Sequence, residues 1–545
     1  MALRYFMCAA FLLACVFVGG PAQAKIKLPA IIGDNMVLQV GEPLYFWGLA
    51  DPGEYVTVII GEEKFGVVAD KKGRWMARTT PFKNGPNEIT IHGKADIVLK
   101  NILWGDVWLC AGQSNMLLSV DQTAHVPTDL PETEFPEIRL FQEEPAAAKK
   151  AEFAGTGKWV VLDPQTVHNF SSIGYFFGRE IYDKTQQPVG IIQAARSGAT
   201  LSSWISREAL DKSEFKGIAP GHDEEFEAIE KLKADLAKVD QESEPQKYKR
   251  MKYKLDYILA HAHSATSTYN SMISPLVPFS MKGMVWYQGE NDLGEPLKYE
   301  RMLSLLVHEY RDEFIRPYLP FIFVQVPNIL KRAKEPEESY YADLREVQED
   351  FRKKMPASYM AVAIDSVAGA EAPLHPKDKR VIAHRLASIA LVTQYKQADK
   401  YNSPVYESME LQDGKIKLHF RYAGNGLTVK GAEPKGFSIA ADDRLFEFAK
   451  AKVVGADVIV WSDKVKKPVA VRYAWADNPI ANLYGPNNLP VTPFRTDVWP
   501  RKKKTAPADM PKEDLNGKMP LPQEELPTEK SSDEKAPEEK PPVKE

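Results

Sequence analysis

The chain runs to 545 residues, more than one ordinary domain and enough for about two to four. Its 70 basic and 74 acidic residues leave a net charge of −4, without the basic excess of a nucleic-acid binder. An apolar content of 44% suffices for large cores, and three cysteines are too few for a disulfide scaffold.

Residues 1–24 read as a secretory signal. Arg4 supplies the positive start, Tyr5 to Gly19 is almost continuously apolar, and Ala22-Gln23-Ala24 is a small-residue cleavage site. Cleavage after Ala24 predicts a secreted or periplasmic protein without a transmembrane anchor. Leu12-Leu13-Ala14-Cys15 loosely resembles a lipoprotein signal, but the apolar run continues through Val16-Phe17-Val18, which disfavours anchoring at Cys15. Loss of Cys8 and Cys15 would leave Cys110 alone.

Residues 25–100 predict a small β-domain. Tyr55–Ile60, Trp75–Arg78 and Glu88–His92 are β-branched or aromatic runs separated by Asp51-Pro52-Gly53, Lys72-Gly73 and Asn84-Gly85-Pro86-Asn87. From 101 to 398 the pattern changes to α/β. Short apolar runs at Val107–Cys110, Val189–Ile192, Gly283–Tyr287, Phe321–Gln325 and Met360–Ile364 alternate with helical stretches. One helix carries Phe170, Ile173, Phe177 and Ile181, and another Leu386, Ile389 and Leu391. This alternation predicts a parallel sheet with helices on both faces. A helical insertion is expected over about 208–263, with Phe226, Ile229, Leu232, Leu236 and Val239 at helical spacing. Residues 399–498 return to short strands at Lys415–Phe420, Val458–Trp461 and Val469–Tyr473, so β-sandwich-like modules are expected on both sides of the α/β core. A tail over 499–545 is expected to be disordered: from Arg501 it holds eight prolines, ten basic and eleven acidic residues and no aromatic. Its opening Arg501-Lys502-Lys503-Lys504 reads as a solvated charge run.

Active sites of open α/β sheets lie at the carboxyl ends of the parallel strands. The first run ends in Ala111-Gly112-Gln113-Ser114-Asn115-Met116, where Ser114 is either an exposed nucleophile or a helix N-cap. The second ends in Arg196-Ser197-Gly198-Ala199-Thr200, a tight turn or a close backbone approach to substrate. The third ends in Gln288-Gly289-Glu290-Asn291-Asp292, amides and carboxylates that either orient substrate or cap a helix. The last leads through Asp365 to Leu374-His375-Pro376-Lys377-Asp378-Lys379, which places His375 on the same edge as Ser114. A serine and a histidine so placed can form a nucleophile–base pair. His261 and His263 make an HxH pair, but no Cys or acidic cluster supports ligation, so neither a metal nor a cofactor is expected.

The block Val107–Met116 resembles the nucleophile block of the sialate O-acetylesterase family, within the SGNH hydrolases. Pro188–Ile192, Tyr269–Leu276, Trp286-Tyr287-Gln288-Gly289-Glu290 and His375-Pro376-Lys377-Asp378-Lys379 agree in order, and flanking matches extend the similarity over roughly residues 28–497. The resemblance implies Ser114 as nucleophile and His375 as general base. It implies the amides of Ser114 and Gly198 as oxyanion donors, with the side chain of Gln288 or Asn291 as a third. It also implies that Gln113, Asn115, Trp204 and Glu290 bind substrate. Three departures stand out. The family commonly carries Asp shortly before the histidine, where this chain has Pro373-Leu374, so the orienting acid would be Asp365 or Glu371, or absent. Ser197-Gly198-Ala199 and Ser202 replace a Gly-Gly-Thr and a following Glu, and Gly289-Glu290-Asn291-Asp292 replaces Gly-Glu-Ser-Asn. The expectation is a secreted carbohydrate O-acetylesterase acting on an acetylated glycan or sialic acid. The alternative is a carbohydrate-binding or scaffold protein with a weakened site.

Overall fold

Val107 to Ala111 are fully buried, as the middle strand of a sheet covered on both faces requires. In the computed structural model, which describes residues 26–124, 134–218, 223–261, 264–397 and 401–501, they lie within the strand Leu103–Gly112. Across the sheet the order is Trp159–Leu162, Phe135–Gln142, Val189–Ala195, Leu103–Gly112, Gly283–Tyr287, Phe321–Val324 and Ser358–Ala361. All neighbours are parallel except the first pair. The chain therefore winds one way from Leu103–Gly112 and then the other, and the switch point lies at the carboxyl end of that strand. Each of the five apolar runs expected to form the parallel sheet overlaps a strand of it. The strands Phe135–Gln142 and Trp159–Leu162 were not anticipated: Pro136, Glu137 and Arg139 interrupt the apolar pattern of the first, and the second is a short edge strand.

Helices Ser172–Thr185 and Arg380–Tyr395 cover one face. Their Phe177, Ile181, Leu386 and Ala390 share a core with Trp108, Cys110, Ile191 and Val285. The Ser171 hydroxyl accepts the Gly174 N–H at 3.0 Å to start the first helix, and left-handed Gln186 ends it. Helices Pro296–Glu313 and Tyr340–Lys354 contribute Leu303, Leu306, Leu344 and Val347 to the core of the opposite face. That core continues into both β-modules, through Phe46, Val58 and Ile91 at one end and Leu418, Ile439 and Val471 at the other.

Side chains fix the modules to the α/β core. Val37–Gln39 runs parallel to Leu103–Gly105, and Gln39 donates to Asp106 Oδ1 at 2.7 Å while accepting the Val107 amide at 3.0 Å. Fully buried Arg345 donates to the carbonyls of Val326 and Pro327 and, in the C-terminal module, of Ala476 and Asp477. Every such bond compensates the desolvation of a buried cation. Helices Asp223–Leu236 and Pro245–His261 occupy the expected insertion, with Ile229, Leu255 and Ala147 as a small satellite core.

The expected tail begins too early at 499. The Trp499 ring lies 5.8 Å from Phe446, and Arg501 pairs with Asp343 at 3.1 Å and Glu346 at 2.5 Å, so the chain is held on the body to that point. The expected signal segment with Cys8 and Cys15, residues 502–545 and His263 lie outside the described residues, as does the side chain of His261. Among the described residues no helix is long and apolar enough to cross a membrane, and no His, Cys, Asp and Glu group is arranged to hold a metal.

Candidate active site

The strand Leu103–Gly112 ends in a turn that only glycine enters without strain. Gly112 has φ of 142°, and a Cβ there would stand 2.2 Å from the Tyr287 carbonyl oxygen. Gln113 follows in extended conformation as the N-cap of the short helix Ser114–Leu117, so Ser114 is the first helical residue and not the cap. Gly112→Ala is expected to cost about 1–3 kcal/mol through backbone strain. Displacing Ser114 by about 1 Å would also cut turnover about 10²-fold; urea melts and initial rates measure the two effects.

Ser114 Oγ lies 2.8 Å from His375 Nε2, within reach for proton transfer. Both side chains are half-buried. Burial and, after it, the nearby Lys379 ammonium push the imidazole below its ordinary pKa. A histidine base works only when neutral, so kcat/KM should fall with acid through a limb below about pH 6.5. A pH–rate profile with a limb above that value would contradict this.

Neither expected acid reaches His375. Asp365 accepts two bonds from Arg385, at 2.7 and 2.9 Å, and a third from the Tyr484 hydroxyl at 2.9 Å. It is thus committed to locking the C-terminal module onto helix Arg380–Tyr395. Glu371 is exposed, on a two-residue strand opposite Lys331. Among the described residues no carboxylate hydrogen-bonds to His375, and the geometry is a dyad.

The other strand ends meet at Ser114. Gln113 accepts the Gly289 amide at 3.3 Å and donates to Asn291 Oδ1 at 3.4 Å, and Asn291 donates to the Gly198 carbonyl at 3.1 Å. This chain of amides links three strand ends across the switch point and fixes Gly198, at φ of 67°, beside the nucleophile turn. The backbone N–H groups of Ser114 and Gly198 have no acceptor among the described residues. Gln288 is corrected as an oxyanion donor. It is fully buried, and its amide nitrogen donates to the Ala199 carbonyl and to Asp292.

Of the four residues expected to touch sugar, Gln113, Asn115 and Glu290 lie buried beneath Ser114, and Trp204 lies in the hydrophobic core. Gln113 is 1% exposed, Asn115 0%, Trp204 0% and Glu290 4%. Trp204 is a core residue, edge-on to Trp286 at 5.4 Å, with its carbonyl accepting the Tyr310 hydroxyl. Asn115 donates to Glu290 Oε1 at 2.6 Å and to the Leu374 carbonyl at 3.1 Å, and accepts from Lys379 Nζ at 2.6 Å. Burial raises the Glu290 carboxyl and lowers the Lys379 ammonium to about 7. The sequence reading assigned Lys379 no part. Its signal is its place four residues after His375, as the N-cap of helix Arg380–Tyr395.

A hydroxyl held against a partly desolvated imidazole at the switch point of a parallel sheet is equipped for attack on an ester carbonyl. The profile described as "Carbohydrate esterase, sialic acid-specific acetylesterase" matches residues 104–232 and 246–420. Sialate O-acetylesterases of Mus musculus and Homo sapiens are each 28% identical to this chain. The alignments cover 89% of it and 97% of the mouse protein, and 87% of it and 93% of the human one. The solved structure of a carbohydrate acetylesterase from Xanthomonas citri is 31% identical, with a TM-score of 0.74, and covers 87% of this chain and 100% of that one. The chain belongs to the sialic acid-specific acetylesterase family of carbohydrate esterases, and it is an esterase.

Proposed function

We propose that the protein is a secreted carbohydrate O-acetylesterase working through a serine acetyl-enzyme. The observation that carries this reading is the 2.8 Å contact between Ser114 Oγ and His375 Nε2 in a chain of this family. Ser114 Oγ attacks the acetyl carbonyl while His375 Nε2 takes its proton. The resulting oxyanion is met by the Ser114 and Gly198 amides, with the second Asn291 Nδ2 proton as a third donor. Collapse breaks the ester bond, and His375 returns the proton to the departing sugar oxygen. Water then attacks the acetyl-serine with the same histidine as base, releasing acetate. The Ser114 hydroxyl, the His375 imidazole as proton carrier and the oxyanion donors carry every step, so the chemistry needs no metal or cofactor.

Export is supported by the Arg4, Tyr5–Gly19 and Ala22-Gln23-Ala24 pattern. The sugar is an O-acetylated sialic acid or another acetylated glycan, and the exposed Ser197 replaces a residue of the family pattern at the rim. Acetate release measured across O-acetylated sialate, xylan and pectin tests the reading and identifies the preferred class. Turnover of at least one acetylated sugar is expected. Binding of these glycans with no acetate released from any would overturn the reading in favour of a weakened, carbohydrate-binding protein.

A further inference from the structure

The site has a base without an orienting acid, so something else must hold His375. Asn115 immediately follows the nucleophile, and its side chain bonds the carbonyl of Leu374, immediately before the base, at 3.1 Å. An asparagine amide can be turned over, exchanging its oxygen and nitrogen, at little intrinsic cost. Here the orientation is dictated by charge. Lys379 Nζ stands 2.6 Å from Oδ1 and Glu290 Oε1 stands 2.6 Å from Nδ2. The opposite orientation would set the amide N–H against the ammonium and its oxygen against the carboxylate. It would also withdraw the donor from Leu374.

We propose that Lys379 is a positioning residue, which through Asn115 clamps the backbone preceding His375 against the nucleophile turn. The clamp occupies the place of the absent acid in holding the imidazole toward Ser114. It rests on the reading of Ser114 and His375 as nucleophile and base. The titratable and charged groups facing Lys379 are Glu290, Asp378, His375 and the Tyr287 ring, whose centroid lies 5.4 Å from Nζ. The nearby ammonium also opposes protonation of His375, which gives the clamp a signature that a space-filling residue lacks.

The test compares pH–rate profiles of the wild type, Lys379→Met, Asn115→Ala and the double variant, after thermal melts establish that each is folded. In Lys379→Met, kcat is expected to fall about 10²-fold, with KM changed less than about threefold. Its acidic limb should move to higher pH. Asn115→Ala should lower kcat similarly without that displacement, because the ammonium remains. In the double variant the two losses should not add. Wild-type kcat in folded Lys379→Met, or a loss that adds to that of Asn115→Ala and leaves the limb unmoved, would overturn the proposal. If Lys379→Met is not recovered folded, Asn115→Ala decides: wild-type kcat there would remove the clamp. Ser114→Ala separates the levels. Turnover retained in that variant would sink the serine reading itself, whereas an inactive Ser114→Ala beside an active Asn115→Ala would sink only the clamp.

Discussion

Replacing His375 with alanine is expected to lower kcat by about 10⁴-fold or more, the loss seen when a serine hydrolase loses its base. The expectation follows from the 2.8 Å contact and from the lack of any other described base bonded to Ser114 Oγ. The companion variant separates a dyad from a triad. In a triad, converting the acid to its amide costs about 10⁴-fold. Here Asp365→Asn should leave kcat per folded molecule within about tenfold, because Asp365 binds Arg385 and Tyr484 and not His375. Stopped assays of acetate release on both variants measure the difference. A loss in Asp365→Asn equal to that in His375→Ala would restore Asp365 to the catalytic group.

The second large effect is on stability. Arg385 and Asp365 are 8% and 9% exposed at their side chains. Truncating one partner of such a pair strands the other charge in a dry site. Arg385→Met should therefore destabilise the fold by about 3–5 kcal/mol. Asp365 would keep only the Tyr484 hydroxyl, and the Val362 carbonyl would lose its guanidinium donor. Replacing both members by apolar residues of similar volume should recover much of the loss, since the pair itself is costly to desolvate. Denaturant melts read by tryptophan fluorescence test both statements. An Arg385→Met protein as stable as the wild type would show that the pair is not part of the lock.

The legible parts of the fold were those written in contiguous residues. The apolar runs of the parallel strands are buried on both faces, so their hydrophobicity survives without any knowledge of neighbours. Their order along the chain placed Ser114 and His375 on one edge, because parallel strands share a carboxyl end. What the sequence concealed depends on partners distant in the chain. Arg385 lies 20 positions from Asp365 and Tyr484 lies 119, in a different module, so nothing local distinguishes a structural aspartate from an orienting one. Trp204 stands close to the nucleophile turns in the pattern but faces Trp286 in the core. Gln113, Asn115 and Glu290 are polar and close to Ser114, yet all three are buried, and Gln113 and Asn115 bond Asn291, Glu290, Lys379 and the backbone. Polar residues at a strand end therefore mark where a site is. Whether they face the ligand or the floor depends on burial, which spacing does not encode.

The central claim, that ester cleavage passes through Ser114, is tested most directly by the turnover of Ser114→Ala on an acetyl ester such as p-nitrophenyl acetate. The variant should fold as the wild type does, since Ser114 is half-buried and its side chain bonds only His375 among the described residues. Its kcat should fall by about 10⁴-fold or more. Undiminished acetate release by the folded variant would contradict the account.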